Sequence, residues 1–225
     1  MKMRARVALI TGSSSGIGEA IYNKLKENGY RVIGLSRSGQ DIECDLRDIF
    51  KLEKEIKALL KRERIDVLIN SAGIGVFRPH EELSVDKIDE VIGVNLKAPI
   101  ILTNLLLREL KRNRGHIINI ASIEAIRSSK FSALYSATKS GLRAFSLSLF
   151  EELRRADVKI TNINPDITKT NFFDNLSFEP SINRDSYILA EEIANLVYFV
   201  LNTPSVVTEF TIRPQRVEIQ KKKRI

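Results

Sequence analysis

The sequence predicts a single doubly wound α/β domain: a parallel sheet of about seven strands with helices on both faces. Three observations predict it. Short apolar runs alternate along the chain with stretches of helical period, the order that builds a parallel sheet with right-handed crossover helices. Those short runs are apolar throughout rather than alternating, as strands buried on both faces require. A glycine-rich string, Thr11-Gly12-Ser13-Ser14-Ser15-Gly16-Ile17-Gly18, joins the first run to the first helical stretch. Such sheets bind ligands beyond the carboxyl ends of their strands, so the informative residues should follow strands.

In chain order, residues 6–11 form the first strand. Residues 17–28 form a helix with Ile17, Ala20, Ile21 and Leu25 on one face, and Gly29 closes it in the left-handed region. Residues 31–36 and 41–45 are the second and third strands. Between the third and the fourth, at 66–70, lies an amphipathic helix over 46–62 bearing Ile49, Leu52, Ile56, Leu59 and Leu60. Ser84 is a good helix cap and opens a helix to about Val91; a longer one runs from about Asn95 to Lys111. Residues 115–122 form the fifth strand. Phe131, Leu134, Leu142, Phe145, Leu149 and Leu153 then recur at helical spacing. A sixth strand covers 158–164, a helix 187–201 stops ahead of Pro204, and a last strand covers 206–212. The reading is one domain over 1–214 with a basic C-terminal tail over 215–225.

A chain of 225 residues holds one sizeable core, and 43% hydrophobic and 28% charged residues fit an ordinary globular protein. The one cysteine, Cys44, excludes an internal disulfide and suits a reducing compartment. The start, Met1-Lys2-Met3-Arg4-Ala5-Arg6, resembles a secretory signal only superficially, because the apolar run after it is short and leads into Thr11-Gly12. No stretch reads as the roughly 20 apolar residues of a spanning helix. A cytoplasmic location with no membrane partner is expected. The net charge of +8 raises nucleic acid as a partner, but the charges are scattered along the helices. The exception is Lys221-Lys222-Lys223-Arg224, a run of the kind that often frays. Nucleic-acid binding is therefore not expected as the main function.

The glycine string offers backbone amides from Gly12 through Ser14, Ser15, Gly16, Ile17 and Gly18 at a helix start, where a diphosphate is favoured. Downstream, Tyr135 and Lys139 stand four residues apart, on one face of a helix. An ammonium one turn from a phenol favours the phenolate and should lower the pKa of Tyr135 from about 10. The pair is a candidate proton donor and acceptor. His80 and His116 have no acids or cysteines at ligand spacing, so no metal is expected.

Together these residues resemble the short-chain dehydrogenase/reductase family over nearly the whole chain, from about Val7 to Pro214. The family's TGxxxGxG is matched by Thr11, Gly12, Gly16 and Gly18, and its NxAG by Asn70, Ala72 and Gly73. Its catalytic serine is matched by Ser122, its YxxxK by Tyr135 and Lys139, and its active-site asparagine by Asn95. The resemblance implies a Rossmann-type fold and hydride transfer between C4 of a nicotinamide and a small carbonyl or alcohol. It implies Tyr135 as proton donor, Ser122 as holder of the substrate oxygen, and Lys139 as the residue that tunes Tyr135 and grips the nicotinamide ribose. Asn95 would hold a water relaying protons to the lysine. Pro165, Thr168 and Thr170, in a segment resembling PGxVxT, would meet the carboxamide, with Asp166 standing where the family has glycine. The segment after it, with Phe172, Phe173, Leu176 and Phe178, would fold over the substrate.

Ser36 stands where an acid would bind the ribose 2′-hydroxyl of NAD, and Arg37 follows it. An arginine can meet a 2′-phosphate with paired charge-assisted bonds, so NADP(H) is expected over NAD(H). Asp45 would contact the adenine. The family also implies a homodimer or homotetramer, to which Leu105, Leu106, Leu142, Phe145 and Leu149 would lend apolar surface. Two rivals remain: a nucleotide-binding sensor or scaffold without turnover, and a nucleic-acid binder using residues 221–224.

Overall fold

The computed structural model describes residues 4–222. Met1–Met3 of the signal-like start and Lys223 and Arg224 of the basic run lie outside them. The chain begins with β1 (Val7–Thr11), α1 (Gly16–Glu27), β2 (Arg31–Ser36), β3 (Ile42–Glu43) and α2 (Ile49–Leu59). Then follow β4 (Val67–Asn70), α3 (Val85–Ile92), α4 (Ala98–Asn113), β5 (His116–Ile120) and α5 (Ala133–Leu153). The last elements are β6 (Lys159–Pro165), β7 (Thr168–Lys169), β8 (Phe178–Pro180), β9 (Ile188–Leu189), α6 (Ala190–Asn202), β10 (Glu209–Ile212) and β11 (Ile219–Lys221).

The main sheet has seven strands in the order β10-β6-β5-β4-β1-β2-β3, all parallel. The order reverses between β1 and β4, so a crevice opens beyond Thr11 and Asn70, which are register partners. Alternate strand residues feed two cores, as the two-residue period of a strand dictates. Leu9, Leu68, Ile117 and Ile160 pack under α2, α4 and α5 with Leu52, Ile56, Leu102, Leu106 and Leu149. Ala8, Ile10, Ile69, Ile118 and Ile163 pack under α1 and α6 with Ile21, Leu25, Ile193 and Val197.

The helix ends depart from expectation for identifiable reasons. The helix α2 starts at Ile49 rather than Leu46 because the Asp48 carboxylate accepts from the Lys51 amide at 2.9 Å and caps it there. Residue 187 is extended, and α6 waits until Ala190, where Glu192 accepts from the Leu189 amide at 2.6 Å. The two helices expected around Val91 and Asn95 form one rod, Val85–Asn113, joined by a π-helical turn over Gly93–Lys97. By length and composition this rod could cross a membrane. Half of its most apolar window is buried inside the fold, including Leu102 and Leu106, which identifies a core helix.

Leu106, Leu142 and Leu149 are buried within the subunit, so they are not the surplus surface expected for assembly. Residues 216–222 do not fray: β11 pairs antiparallel with β8. Lys221 lies in that strand, and the Lys222 ammonium donates to the Phe173 and Asp174 carbonyls at 2.6 and 2.9 Å.

His116 is buried in β5, its Nε2 2.8 Å from Thr161 Oγ1. Burial, with help from the charges of Arg6 and Lys159, pushes its pKa down to about 3. The folded chain therefore keeps His116 neutral while the unfolded chain takes up a proton below about pH 6.5. The stability His116 contributes is full above that pH and lost as pH falls toward 3. Between pH 6.5 and 5 the parent should lose up to about 1.4 kcal/mol per pH unit more than His116→Gln, by urea unfolding. Equal slopes would show that His116 protonates in the fold.

Candidate active site

The carboxyl ends of β1, β4, β5 and β6 converge on the crevice, and their turns are tied to one another. Thr11 Oγ1 accepts from the Ser71 and Ala72 amides at 3.1 and 3.2 Å. Gly12 sits at φ +68°, and a Cβ on it would lie 2.8 Å from Ala72 Cα. A Cβ on Gly18 would strike the Gly12 carbonyl. Only glycine permits the turn at the first position and the close packing at the second. Ser15 precedes α1 in an extended conformation and its side chain does not cap the helix. The amides of the first turn thus face the crevice, and this cradle fits a dinucleotide diphosphate.

Ser122, just past β5, has an extended backbone, and its Oγ accepts from the Glu124 amide at 3.2 Å. The start of α5 carries Tyr135 and Lys139 back over the ends of β4 and β5. Lys139 is buried, and its ammonium donates to the Ile120 carbonyl at 2.8 Å. Gly73 packs against it: a Cβ there would stand 3.3 Å from Lys139 Nζ and 3.6 Å from Asn95 Oδ1. Asn95, fully buried in the π-helical turn, clamps the Ile74 backbone. Its Oδ1 accepts from the Ile74 amide at 2.7 Å and its Nδ2 donates to the Ile74 carbonyl at 2.9 Å and to Thr138 Oγ1 at 3.2 Å. Such single turns concentrate at functional sites because they re-aim one helical face. Asn95, Ser122, Tyr135 and Lys139 are therefore brought together.

The electrostatics depart from expectation. Burial raises the pKa of Tyr135 to about 12, with the Ser122 hydroxyl pulling in the opposite direction. The lowering expected from Lys139 is absent because its ammonium is turned to the Ile120 carbonyl, 5.9 Å from the center of the tyrosine ring. Burial likewise pushes Lys139 down to about 8. Desolvation dominates both shifts.

Other expected residues are placed as follows. Thr168 and Thr170 follow β6 at the crevice, with Thr170 packed where a Cβ of Gly16 would touch it. Pro165 is buried at the end of β6. The Asn70 side chain is turned inside the sheet, donating to Asn119 at 2.7 Å, so only its backbone borders the crevice. Arg37 is exposed beyond β2 and enters no ion pair among the described residues. Asp41, in the same loop, accepts from the Gly34 amide at 2.8 Å. The Asp45 carboxylate is held by Arg47, with bonds of 2.6 to 3.1 Å, which keeps its pKa low.

Two groups gain partners that the sequence did not mark. Asp166 has no positive φ and so carries no strain in the glycine position. Its fully buried carboxylate accepts from the Ile167 amide and from Arg213, both at 2.9 Å, and lies 3.6 Å from Arg127. Arg127 also reaches buried Glu124, which Ser129, Ser132 and Ser136 bond as well. The second group is an aromatic cover. Phe77 and Phe172 stand 5.2 and 6.0 Å from Tyr135, ring center to ring center, and Tyr135 is 6% exposed. The Phe172 ring lies against Gly75 where a Cβ would be. Nothing periodic marks Phe77 or Gly75, so only their juxtaposition reveals them.

The short chain dehydrogenase family model matches residues 6–180. An uncharacterized oxidoreductase of Staphylococcus epidermidis is 33% identical over 231 residues, covering 95% of this chain and 99% of its own. Among solved structures, an alcohol dehydrogenase from the archaeon Thermococcus sibiricus, complexed with 5-hydroxy-NADP, is 29% identical with a TM-score of 0.84. It is matched over 96% of this chain and all of its own. A metagenomic short-chain oxidoreductase in complex with NADP is also 29% identical, with a TM-score of 0.77, over 93% of this chain and 96% of its own.

Proposed function

This chain belongs to the short-chain dehydrogenase family, and we propose that it moves a hydride between NADP(H), in preference to NAD(H), and the carbon of a small carbonyl or alcohol. The observation that carries this reading is the meeting of Ser122, Tyr135, Lys139 and Asn95 beside the glycine cradle of β1. Nicotinamide, when bound, supplies or accepts the hydride at C4. The backbone from Gly12 through Gly18 would hold the diphosphate, and Ala72 and Gly73 would border the nucleotide. Thr168 and Thr170 would hold its carboxamide end.

Reduction of a carbonyl places negative charge on the substrate oxygen, which needs a proton and a hydrogen bond. Tyr135, with its pKa near 12, keeps its proton at neutral pH and can give it to that oxygen. Ser122 donates the second hydrogen bond. Lys139, near 8, is mostly charged at neutral pH and would grip the nicotinamide ribose. The Asn95 side chain is engaged by Ile74, so its part in a relay is to set the position of Ile74 and Thr138 rather than to offer its own amide. Turnover of NADPH with any member of a panel of small aldehydes and ketones tests the reaction and excludes a scaffold without turnover.

A buried Cys44, a core-helix role for Val85–Asn113 and engagement of Lys222 by the fold support a cytoplasmic enzyme with no membrane or nucleic-acid partner. The preference for NADP(H) rests on Arg37, on the absence of an acid at Ser36, and on the engagement of Asp41 by Gly34. The two solved relatives at 29% identity are complexed with NADP and with its 5-hydroxy form. Assembly as a homodimer or homotetramer is proposed from the family habit and from partly exposed Ile92 and Ile100 on the long helix.

Tyr135→Phe should bind NADPH like the parent and lose about 10²–10⁴-fold in kcat, since only the transferable proton is gone. A kcat within a few-fold of the parent would remove Tyr135 from the reaction. The charge-assisted bonds of Arg37 are worth about 1.5–3 kcal/mol, so Arg37→Ala should lower the NADPH-to-NADH ratio of kcat/KM roughly ten- to a hundredfold. Equal efficiency of the parent with both nucleotides would overturn the preference. Light scattering at micromolar concentration should return twice or four times the 25.5 kDa of one chain; a monomer mass would refute assembly.

A further inference from the structure

The C-terminal segment reaches the active site through the cover of Tyr135. It leaves β10 beside Arg213, whose Nε is fastened to buried Asp166 at 2.9 Å. Arg216 then donates its amide to the Asp185 carbonyl at 2.9 Å. The Glu218 carboxylate accepts from Asn183 at 3.0 Å and its backbone carbonyl from the Ser181 amide at 3.3 Å. Beyond it β11 pairs with β8 in the register Ile219 to Pro180, Gln220 to Glu179 and Lys221 to Phe178. Last, Lys222 donates its amide to the Ser177 carbonyl at 3.0 Å and its ammonium to the Phe173 and Asp174 carbonyls.

What the segment grips is the piece of chain that shuts the site. Phe178, in β8, packs edge-on against Phe77 and Phe173 at 5.2 and 5.7 Å between ring centers. Phe173 in turn meets Phe172 at 5.4 Å, and Phe172 covers Tyr135 and Gly75. The carbonyls taken by Lys222 close the short turn Asn171–Phe173 that bears both phenylalanines. Tyr135 beneath this turn is 6% exposed.

We propose that residues 216–222 are a clasp that positions the aromatic cover, with Lys222 as its locking residue, so that β8 and β11 move as one unit when substrate enters. Lys222 is a positioning residue, acting on Tyr135 through Phe172 and Phe173. The functional consequence rests on the reading of Tyr135 as proton donor; the clasp itself does not.

Hydrogen–deuterium exchange on the nucleotide-free protein tests it, with the full chain compared against Lys222→Ala, Lys222→Arg and a chain ending at Gln215. The clasp predicts that amides of residues 172–181 exchange about tenfold faster or more in Lys222→Ala and in the shortened chain, the order expected for losing charge-assisted bonds. Exchange in β5 should not change, and Lys222→Arg, which can still donate to both carbonyls, should resemble the parent. Unchanged exchange of 172–181 in both Lys222→Ala and the shortened chain would overturn the proposal. So would acceleration of β5 in step with the cover in both. Because this readout needs no turnover, a chain that failed to reduce any carbonyl would refute the proposed reaction and leave the clasp standing.

Discussion

The bond from the Lys139 ammonium to the Ile120 carbonyl is the constraint on which the site depends. It is a charge-assisted bond made where almost no water reaches, and burial pushes the ammonium down to about 8. A buried charge is tolerated only with a well-placed partner. The end of β5 supplies that partner because the last strand carbonyls of a parallel sheet have no further strand residue to receive them. Pinning Lys139 there fixes the rotation of α5, and with it Tyr135 one turn earlier. Gly73 permits the approach, since a side chain would crowd the ammonium.

A layer of polar side chains carries this arrangement across the sheet ends. Asn70 donates to Asn119, Asn119 to Ser146, and Ser146 back to the Leu142 carbonyl of α5. Thr11 holds the turn after β4, and Asn95 holds Ile74 just beyond it. On the far side, Asp166 gathers Arg127 and Arg213, joining the turn after Ser122 to the exit of β10. Buried polar groups hold shape only when partnered, and these partners lie on different strands. The crevice is thus braced from several elements, which suits a site that must hold three side chains in register.

The cover follows a different logic. Its aromatic rings supply apolar contact and its backbone has little regular structure of its own, so its position depends on what surrounds it. Phe77 and Gly75 receive it from the β4 side, while β11 backs it from outside. Loops at such sites combine a need to move with a need to return to one place. A short strand pair and one lysine meet both needs, since the pairing is brief and its geometry is specific.

The sequence by itself determined the α/β order, the glycine cradle and the spacing of Ser122, Tyr135 and Lys139. Those are local features, written in apolar period, in glycine and in helical spacing. It also placed Ser84 correctly as a cap, but not Asp48, whose capping shortened α2 by a turn. Tertiary structure alone decided the rest. The pKa of Tyr135 rose rather than fell because burial and the aim of Lys139 depend on strands far along the chain. Asp166 could replace a glycine because arginines 39 and 47 residues away in the chain come to meet it. Lys222 reads as one more charge in a terminal run, yet it bonds carbonyls 48 and 49 residues before it. Desolvation and long-range pairing are properties of neighbors in space, and no local pattern names them.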